Sequence, residues 1–383
     1  MIALRLWQRG ALGVTLMALA GCAGPSAAEL PQSTGLGDAD VAVYITQFTN
    51  DATTGGRVVL YDRDGPVSMV SHQGIRVPRL IWDETGLFFV DQTTDFQISD
   101  RLERSTRSRA ADTLVGMQGG PDGRRVVLFN DGLSAGQNHT GIGVYSGIHE
   151  QSQADLLDSM AGTFSSCAGG VYSAGAKTIS GDWSALTRLD PIGGGAPQAI
   201  GTEQAGVLVN GDDAPCLDDG VVVLWYADSN SHLPELEAWQ WSTANGSVRR
   251  TPLRSGPNRF AVDSRVLSDT EVPTWLVDGK LLWVDSAGAA WRADLKTGVT
   301  NEIRDGLEVS DGQIQSWVHS GGWVVQFVYV QDHSSAHLNI YSDKDLSLVQ
   351  TRELPQLAES TPTDQMVLAV AVSPHFAPEP DNQ

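Results

Sequence analysis

Basic residues are scarce in this chain, which carries 25 Lys and Arg against 46 Asp and Glu and has a formal net charge of -21. A surface with such an excess of carboxylates repels nucleic acid and anionic lipid. We therefore expect no nucleic acid partner, and no membrane binding that relies on surface charge alone.

Cysteine is scarce as well, with three residues in the chain. If Cys22 is modified, as argued below, Cys167 and Cys216 remain as the pair that an oxidising compartment would join in a disulfide. Two free buried thiols are the alternative. Neither cysteine has a Cys or His close by in the sequence to complete a tetrahedral metal site, so we expect no metal there.

Helical patterns are few, whereas Gly (41) and Pro (17) are plentiful. Because 41% of the residues are hydrophobic and 11 are Trp, the chain can build a core and is not of a disordered composition. A core-forming chain with many turns favours an all-β fold. One helical-looking piece, residues 152–160, is expected on a surface loop.

The first 22 residues have the pattern of an export signal. Arg5 and Arg9 precede an apolar run over residues 10–20 that is too short to span a bilayer. The end of this run, Leu-Ala-Gly-Cys22, resembles the lipobox of bacterial lipoproteins. The resemblance implies cleavage before Cys22 and diacylation of its sulfur; the alternative is an ordinary secretory signal with an incidental cysteine.

Cleavage would remove residues 1–21 with two arginines and no acid, which leaves 23 basic against 46 acidic residues and a net charge of -23. The lipid on Cys22 would then hold the protein at the cell envelope, on the outer face of the cytoplasmic membrane or at the outer membrane. Residues 22–37 predict a flexible lipidated tether, 38–375 the folded domain and 376–383 a disordered tail.

A repeating unit fills the predicted domain. A turn with Gly or Asp precedes a short run of β-forming residues, at residues 40–48, 86–90, 123–129, 170–172, 220–226, 279–284 and 322–330. Turn sequences such as Asp62–Gly65, Asn245-Gly246 and Lys296–Gly298 follow second β runs. Units of several short antiparallel strands, repeated at roughly 40 to 50 residues, are typical of a β-propeller. We predict about seven blades, with six or eight as alternatives.

The two ends of the domain predict how the ring closes. The run Met366–Val372 has no later partner in the sequence, and residues 40–48 have no preceding strand. Pairing these two runs in one blade would cover both edges.

Two units carry a more specific pattern, at residues 77–90 and 272–284, with a partial copy at 121–127. They resemble the P-x-W-x-x-D-G-hydrophobic blade core of TolB-type propellers. The propeller part of LpqB-type lipoproteins is similar in architecture. The resemblance implies a propeller fold over most of residues 38–375.

Catalytic motifs known from propellers are incomplete. Residues 286–291 resemble the bacterial sialidase box, but Ser286 occupies the aspartate position. Residues 294–298 match the first half of a quinone-dependent dehydrogenase motif and lack the tryptophan, which favours a simple turn. We expect no catalytic residue and no cofactor.

Metal ligands are similarly incomplete. His333 and His337 are four residues apart in a predicted hairpin loop without a third ligand. Asp212, Asp213, Asp218 and Asp219 surround Cys216 and could bind calcium, but they match no EF-hand spacing, so an acidic loop is the preferred interpretation. We predict no metal site.

Two further groups are candidates for binding. Arg101, Arg104, Arg107 and Arg109 stand out in an acidic chain and are candidate partner-binding residues; outward arginines on a strand and hairpin are the alternative. Trp239 and Trp241 point to one side of a strand, where packing between blades is favoured over stacking on a sugar or peptide.

The sequence thus predicts a non-enzymatic scaffold or binding module at the outer face of a bacterial membrane, in contact with an envelope protein. The alternative is a ligand-binding or sensor subunit that takes a carbohydrate, peptide or cation at the channel mouth. A hydrolase or lyase whose site is assembled from different blades is a third class.

Overall fold

The computed structural model describes residues 30–46, 55–120, 122–134, 137–157, 162–176, 183–190, 195–204, 207–208, 213–226, 235–261, 272–309, 313–330, 335–357 and 366–378. These residues form seven antiparallel sheets arranged as a seven-bladed β-propeller. The predicted all-β fold and the blade count of seven are therefore confirmed.

The strands follow the ring in chain order. Blade 1 contains β1 (Val41–Thr46), β2 (Gly56–Asp62) and β3 (Gly65–His72), and blade 2 contains β4 (Ile81–Asp83), β5 (Gly86–Val90), β6 (Thr94–Ile98) and β7 (Leu102–Thr106). Blade 3 contains β8 (Leu114–Gly119), β9 (Arg124–Ser134), β10 (Gln137–Ser146) and β11 (His149–Leu157), and blade 4 contains β12 (Thr163–Cys167), β13 (Gly170–Ala176), β14 (Trp183–Arg188) and β15 (Gln198–Gln204).

Blade 5 has two short pieces on one side of its sheet, β16 (Val207–Leu208) and β17 (Cys216–Leu217), followed by β18 (Gly220–Tyr226), β19 (Leu236–Ser242) and β20 (Val248–Pro252). A separate hairpin consists of β21 (Arg254–Ser255) and β22 (Asn258–Arg259). Blade 6 contains β23 (Thr274–Val277), β24 (Lys280–Val284), β25 (Ala290–Asp294) and β26 (Thr300–Arg304). Blade 7 contains β27 (Gln313–Ser320), β28 (Trp323–Val330), β29 (Ser335–Ser342) and β30 (Leu348–Glu353), and β31 (Met366–Val372) returns to blade 1.

The last strand closes the ring. β31 pairs antiparallel with β1, from Val41 opposite Val372 to Thr46 opposite Met366. The strand is also the innermost of blade 1, because it contacts β4 and β27, the first strands of the two neighbouring blades. The predicted closure between the two ends of the domain is confirmed.

Apolar runs are continuous because both faces of a blade are covered. Along β1, Ala42 and Tyr44 pack with Phe89 of blade 2, whereas Val43 packs with Phe327 of blade 7. Successive side chains of a strand point to opposite faces, so each strand contributes to two seams between blades. The core of the molecule is this set of seams.

Two-residue turns link the first and second strands of blades 4 to 7. Both turn residues have positive φ, at Ala168-Gly169, Asp218-Asp219, Asp278-Gly279 and Gly321-Gly322. This is the type I′ geometry, which suits the twist of paired strands. The Asp-Gly of the predicted blade core is therefore the turn between β23 and β24. We call the side of the ring with these turns the turn face, and the opposite side the loop face.

The outer strand of one blade contacts the turn between the third and fourth strands of the next. Arg352 donates to the carbonyl of Asp62, and the Thr251 hydroxyl donates to the carbonyl of Leu295 at 3.0 Å. At the seam between blades 4 and 5, a Cβ on Gly201 would lie 2.4 Å from the carbonyl oxygen of Gly246. The outer edges of neighbouring blades are thus joined directly.

The helix expected at residues 152–160 is wrong. Residues 152–157 belong to β11, which pairs with β10 along its length, and the remainder lies outside the described residues. Pairing with a neighbouring strand overrides the helix preference of Gln, Ala and Leu.

The described residues at both ends of the domain pack against the blades. The Ser33 amide donates to the carbonyl of Met69 at 2.7 Å, and the Leu36 amide donates to the carbonyl of Ser99 at 2.8 Å. Phe376 is 3% exposed and packs between blades 7 and 1. The predicted signal peptide and Cys22 lie outside the described residues. No helix in the described part of the chain is long and apolar enough to cross a membrane.

Candidate functional site

The structure separates the four predicted arginines. Arg107 is buried and Arg109 is one-quarter exposed. Arg104 on β7, the outer strand of blade 2, and Arg101 directly before this strand are both exposed. Arg101 forms an ion pair with Glu103. The four side chains therefore do not form one patch, and only Arg101 and Arg104 are open to a partner; such a contact stays a prediction.

Arg107 lies in a polar cluster between blades 2 and 3. Its guanidinium forms an ion pair with Asp95 and donates to the carbonyl of Asp91, and it lies 4.7 Å from the ring centre of Phe129 in blade 3. Its side chain is 1% exposed and that of Asp95 is 2% exposed. Burial raises the pKa of Asp95 to about 7, and the lowering of that pKa by Arg107 offsets burial only in part.

The Asp91 carboxylate organises the adjoining turn. It accepts hydrogen bonds from the amides of Thr93 and Thr94 at 2.9 and 2.7 Å, and from the amide of Gln73 at 3.0 Å. Gln73 belongs to the connection from blade 1, so this one carboxylate holds two blades together on the loop face.

A buried histidine lies beside this cluster. His72 packs with the rings of Tyr44, Phe89 and Phe96, and its Nδ1 accepts a hydrogen bond from the Gly74 amide at 2.9 Å. Burial lowers the pKa of His72 to about 4, and it also raises the pKa of Tyr44. The imidazole is therefore neutral at physiological pH, which suits a packed position.

Further ion pairs cross from one blade to the next. The pairs are Arg125–Asp83, Arg109–Asp131, Arg124–Asp190, Arg250–Glu203 and Arg352–Asp40. Arg125 is fully buried: Nη2 lies 2.9 Å from Asp83 and Nη1 donates to the carbonyl of Gly147 at 3.3 Å. Removing Asp83 would leave the buried Arg125 charge uncompensated, so this pair holds blades 2 and 3 in place.

The predicted disulfide partners are joined in the structure. Cys167 at the end of β12 and Cys216 in β17 are bonded, with their Cα atoms 5.4 Å apart. The two cysteines belong to neighbouring blades, 4 and 5. Beside the bond, the Ala214 amide donates to the carbonyl of Phe164 at 2.6 Å. The disulfide therefore links the inner parts of two blades.

The predicted metal candidates have other contacts. Asp218 and Asp219 form a type I′ turn, and His337 Nε2 lies 3.2 Å from Glu308 Oε2. Asp212 and His333 lie outside the described residues. Within the described residues, no group of three or more His, Cys, Asp or Glu is placed to hold a metal ion.

Glu308 joins a polar network in blade 7. Its carboxylate accepts from Asn339 Nδ2 at 3.1 Å, and the Tyr341 hydroxyl donates to Gln326 Oε1 at 3.0 Å. Burial raises the pKa of Tyr341 to about 12. These groups satisfy one another, which favours a structural role.

The residues resembling catalytic motifs stabilise turns. Asp285, one residue before the predicted box, accepts from the Trp291 indole at 2.8 Å and from two backbone amides of its own turn. Asp294 accepts from the amides of Lys296 and Thr297, both at 2.9 Å. The turn interpretation of residues 294–298 is thus the correct one. Trp239 and Trp241 are 3% and 1% exposed, and the ring centre of Trp239 lies 4.4 Å from that of Trp225. The two predicted tryptophans therefore belong to the core.

An acidic cleft of about 320 Å³ opens beside the closing blade. Asp38, Asp40, Asp62, Asp64 and His375 are among its lining residues. Arg352 binds both carboxylate oxygens of Asp40 at 2.9 Å, and Asp62 Oδ1 accepts from the Asp64 amide at 2.8 Å. Two of the four carboxylates are therefore engaged in holding the fold.

One exposed surface feature is not among those predicted above from the sequence. Between residues 238 and 262 the chain has four arginines and no acid. Arg254 and Arg259 belong to the hairpin β21–β22, which is exposed along its whole length. The local absence of acidic residues in an acidic chain was the signal that could have found it.

Comparisons with known proteins identify no family. No family model matches the sequence, and no curated protein matches it. Among solved structures, the cobalt-substituted apocarotenoid oxygenase of Synechocystis is 9% identical, with a TM-score of 0.49 over 89% of this chain and 94% of that one.

A putative 6-phosphogluconolactonase of Bacteroides fragilis is 9% identical, with a TM-score of 0.49 over 87% of this chain and 98% of that one. The Pan2 WD40 domain of Neurospora crassa is 12% identical, with a TM-score of 0.46 over 77% and 84%. The seven-bladed architecture of this chain rests on its own strand pairing, and none of these activities is carried over to it.

Proposed function

We propose that this protein is a lipid-anchored propeller of the bacterial cell envelope that acts as a non-enzymatic scaffold or binding module. The observation that carries the proposal is the use of its charged groups. Arginines and carboxylates pair across the seams between blades, where they fix a rigid ring. A rigid ring presents its loops and rim as a preorganised binding surface, which lowers the entropic cost of binding.

Export is supported by two independent features. The sequence before Cys22 resembles a lipobox, and Cys167 and Cys216 are bonded in the structure. Disulfides persist in oxidising compartments outside the cytosol. With the lipid as anchor, the acidic surface is free to face a partner protein.

Fractionation of cells tests the anchor. We expect the wild-type protein in the membrane fraction, and a Cys22→Ser variant whose signal is still cleaved in the soluble fraction. A Cys22→Ser variant that stays with membranes after a salt wash would show that lipid is not the anchor. Alkylation of freshly isolated protein without reductant should modify neither Cys167 nor Cys216.

Capture of partners tests the scaffold. The lipidated protein is cross-linked in cells with a cleavable reagent and purified, in parallel with an unrelated lipoprotein of similar abundance. We expect one or a few envelope proteins specific to the propeller. If only lipid or a small molecule is recovered with it, the alternative of a ligand-binding or sensor subunit replaces the scaffold.

A further inference from the structure

A projecting hairpin lies between blades 5 and 6. Residues 254–259, which include β21 and β22, are all exposed, whereas Leu253 and Phe260 at the base are 0% and 4% exposed. The Phe260 amide donates to the carbonyl of Leu253 at 2.9 Å, and Phe260 packs edge-on against Trp283 and Trp291. An anchored base therefore carries an exposed tip.

The tip has a compact turn. Gly256 has a φ of 60°, and Pro257 follows it with a φ that its ring keeps negative. Glycine at the first central position is the requirement of a type II′ hairpin turn. The hairpin is thus preorganised by its own sequence.

Two arginines face each other across this hairpin. Arg254 and Arg259 are directly paired in register, so their side chains lie on the same face of the ribbon. Like charges placed directly opposite each other destabilise a hairpin. An anion that bridges the two guanidinium groups would remove this repulsion.

The surrounding charges only partly neutralise the pair. Arg259 lies 3.6 Å from Glu235 and 3.7 Å from Glu237, and its side chain is still 42% exposed. No carboxylate among the described residues is within ion-pair distance of the exposed Arg254. On the neighbouring strand β20, Arg249 and Arg250 are also exposed.

We propose that this hairpin binds a carboxylate-rich segment of a partner protein, an inference that rests on the proposed scaffold function and specifies its partner. The planar guanidinium group binds a carboxylate through two parallel hydrogen bonds, and a paired arrangement suits two neighbouring acidic side chains. The chain as a whole has a net charge of -21 and repels an acidic segment, so binding is confined to this point.

A membrane surface is the less suitable anionic partner because of where the chain would be anchored. Residues 30–36 lie along blades 1 and 2, and the hairpin lies on the opposite side of the seven-bladed ring. Cys22 and Leu30 are eight positions apart in the sequence, a distance that an extended chain spans in at most about 28 Å. A lipid on Cys22 would hold the blade 1 side near the bilayer and direct the hairpin away from it.

The test uses the soluble Cys22→Ser protein and a fluorescent hexaglutamate peptide, with binding measured by anisotropy at 20 and 150 mM salt. We expect saturable binding that weakens with salt, and a loss of at least tenfold in the Arg254→Glu/Arg259→Glu variant. The neutral variant Arg254→Gln/Arg259→Gln should lose several-fold. Thermal unfolding verifies that each variant is folded.

The matched control is Arg63→Glu/Lys344→Glu, which reverses two exposed charges on the turn face of blades 1 and 7 and should bind like the Cys22→Ser parent. No binding by this parent, or an equal loss in the control, would overturn the inference. An equal loss in Arg101→Glu/Arg104→Glu would also overturn it, since the segment would then occupy β7.

Two further experiments distinguish a lipid surface from a protein partner and test the hairpin in cells. Binding to phosphatidylglycerol vesicles that depends on Arg254 and Arg259 and exceeds binding to the peptide would overturn the choice of a protein partner. In cells, a cross-linked partner that persists in the Arg254→Glu/Arg259→Glu variant contradicts the role of the hairpin and leaves the scaffold function standing. Absence of any partner from the wild type contradicts the scaffold function itself.

Discussion

At the scale of single residues, the ionisable groups of the loop face are buried with opposite consequences. His72 is held neutral among aromatic rings, and Asp95 is buried beside Arg107. Both pKa values move in the direction that favours the uncharged form, because burial penalises charge. The two groups therefore make stability depend on pH with opposite signs, and substitutions can separate them.

Replacing His72 by Asn should reduce the sensitivity of the protein to acid. The pKa of His72 is about 4 in the folded state and 6.5 when exposed, so between these values the unfolded chain binds a proton that the folded chain does not. Stability should fall as the pH drops through this window. In urea titrations from pH 7 to 4.5, we expect His72→Asn to lose about 2 to 3 kcal/mol less than the wild type. The exposed control His375→Asn should follow the wild type; if His72→Asn does so too, His72 is not buried as a neutral group.

Replacing Asp95 by Asn should act in the opposite direction. The folded state holds a proton on Asp95 up to a pH of about 7, whereas the unfolded chain releases it near 3.8, so this group loses stability as the pH rises between those values. Asparagine keeps an oxygen acceptor for Arg107 and does not titrate. From pH 4.5 to 8, the stability of Asp95→Asn should therefore rise more steeply than that of the wild type. An unchanged slope, equal to that of the exposed control Asp122→Asn, would contradict the shift.

At the scale of the elements, the repeated contact between an outer strand and the turn of the next blade requires glycine at some turn positions. Gly246 has a φ of 69°, and a Cβ there would lie 2.3 Å from the carbonyl oxygen of Ile200. Gly256 has a similar φ of 60° and no atom within 4 Å of its Cβ position. The two positions thus differ in packing and share a positive φ.

Alanine substitutions at these two positions should distinguish the energetic cost of the positive φ from that of the close contact between blades. Gly256→Ala should cost about 1 to 2 kcal/mol, because a residue with a Cβ is disfavoured at a positive φ. Gly246→Ala should cost about 2 to 4 kcal/mol, because the seam between blades 4 and 5 must also move apart. Chemical denaturation measures both values. Equal losses would show that the close approach of Gly201 and Gly246 contributes nothing.

The disulfide is the covalent counterpart of these seam contacts. It spans 49 residues and links blade 4 to blade 5. On the chain-entropy model, closing such a loop stabilises the folded state by roughly 4 kcal/mol. We expect Cys167→Ser/Cys216→Ser to be destabilised by about that amount, and reductant to destabilise the wild type alone. A wild type indifferent to reductant, with an intact bond shown by mass mapping, would contradict a stabilising role.

The sequence repeat predicted the strands of the blades better than it predicted which charged residues are buried and which are exposed. Strands such as β18 and β24 are continuous apolar runs because both faces are covered, and the Asp-Gly turns follow from residues that tolerate positive φ. Residues 152–157 could not be assigned from local preference, because their strand exists through pairing with β10. Tertiary contacts decide that Arg107 is buried between blades 2 and 3 and that Arg254 is exposed on the hairpin. The spacing of the arginines in the sequence does not encode these contacts.

At the scale of the whole molecule, the ring is closed by a strand that arrives last in the chain. β31 supplies the inner strand of blade 1 and contacts two neighbouring blades. Beyond it, Phe376 packs with Leu354 and Leu357 between blades 7 and 1, and the Phe376 amide donates to the carbonyl of Ser373 at 2.9 Å. Closure therefore consists of a strand and a terminal aromatic anchor, and the two contributions can be tested by truncation.

Shortening the chain from its end should reduce stability in two steps. A chain that ends after Pro378 keeps all of these contacts and should unfold like the parent. A chain that ends after Pro374 loses Phe376, and we expect a loss of about 3 kcal/mol, the usual cost of removing a buried phenylalanine side chain. A chain that ends after Thr363 loses β31 and exposes the edges of β1 and its neighbours, so it should unfold without cooperativity and aggregate. Circular dichroism melts and light scattering measure these outcomes. If the chain that ends after Thr363 melts as sharply and as late as the parent, the pairing of β31 with β1 does not close the ring.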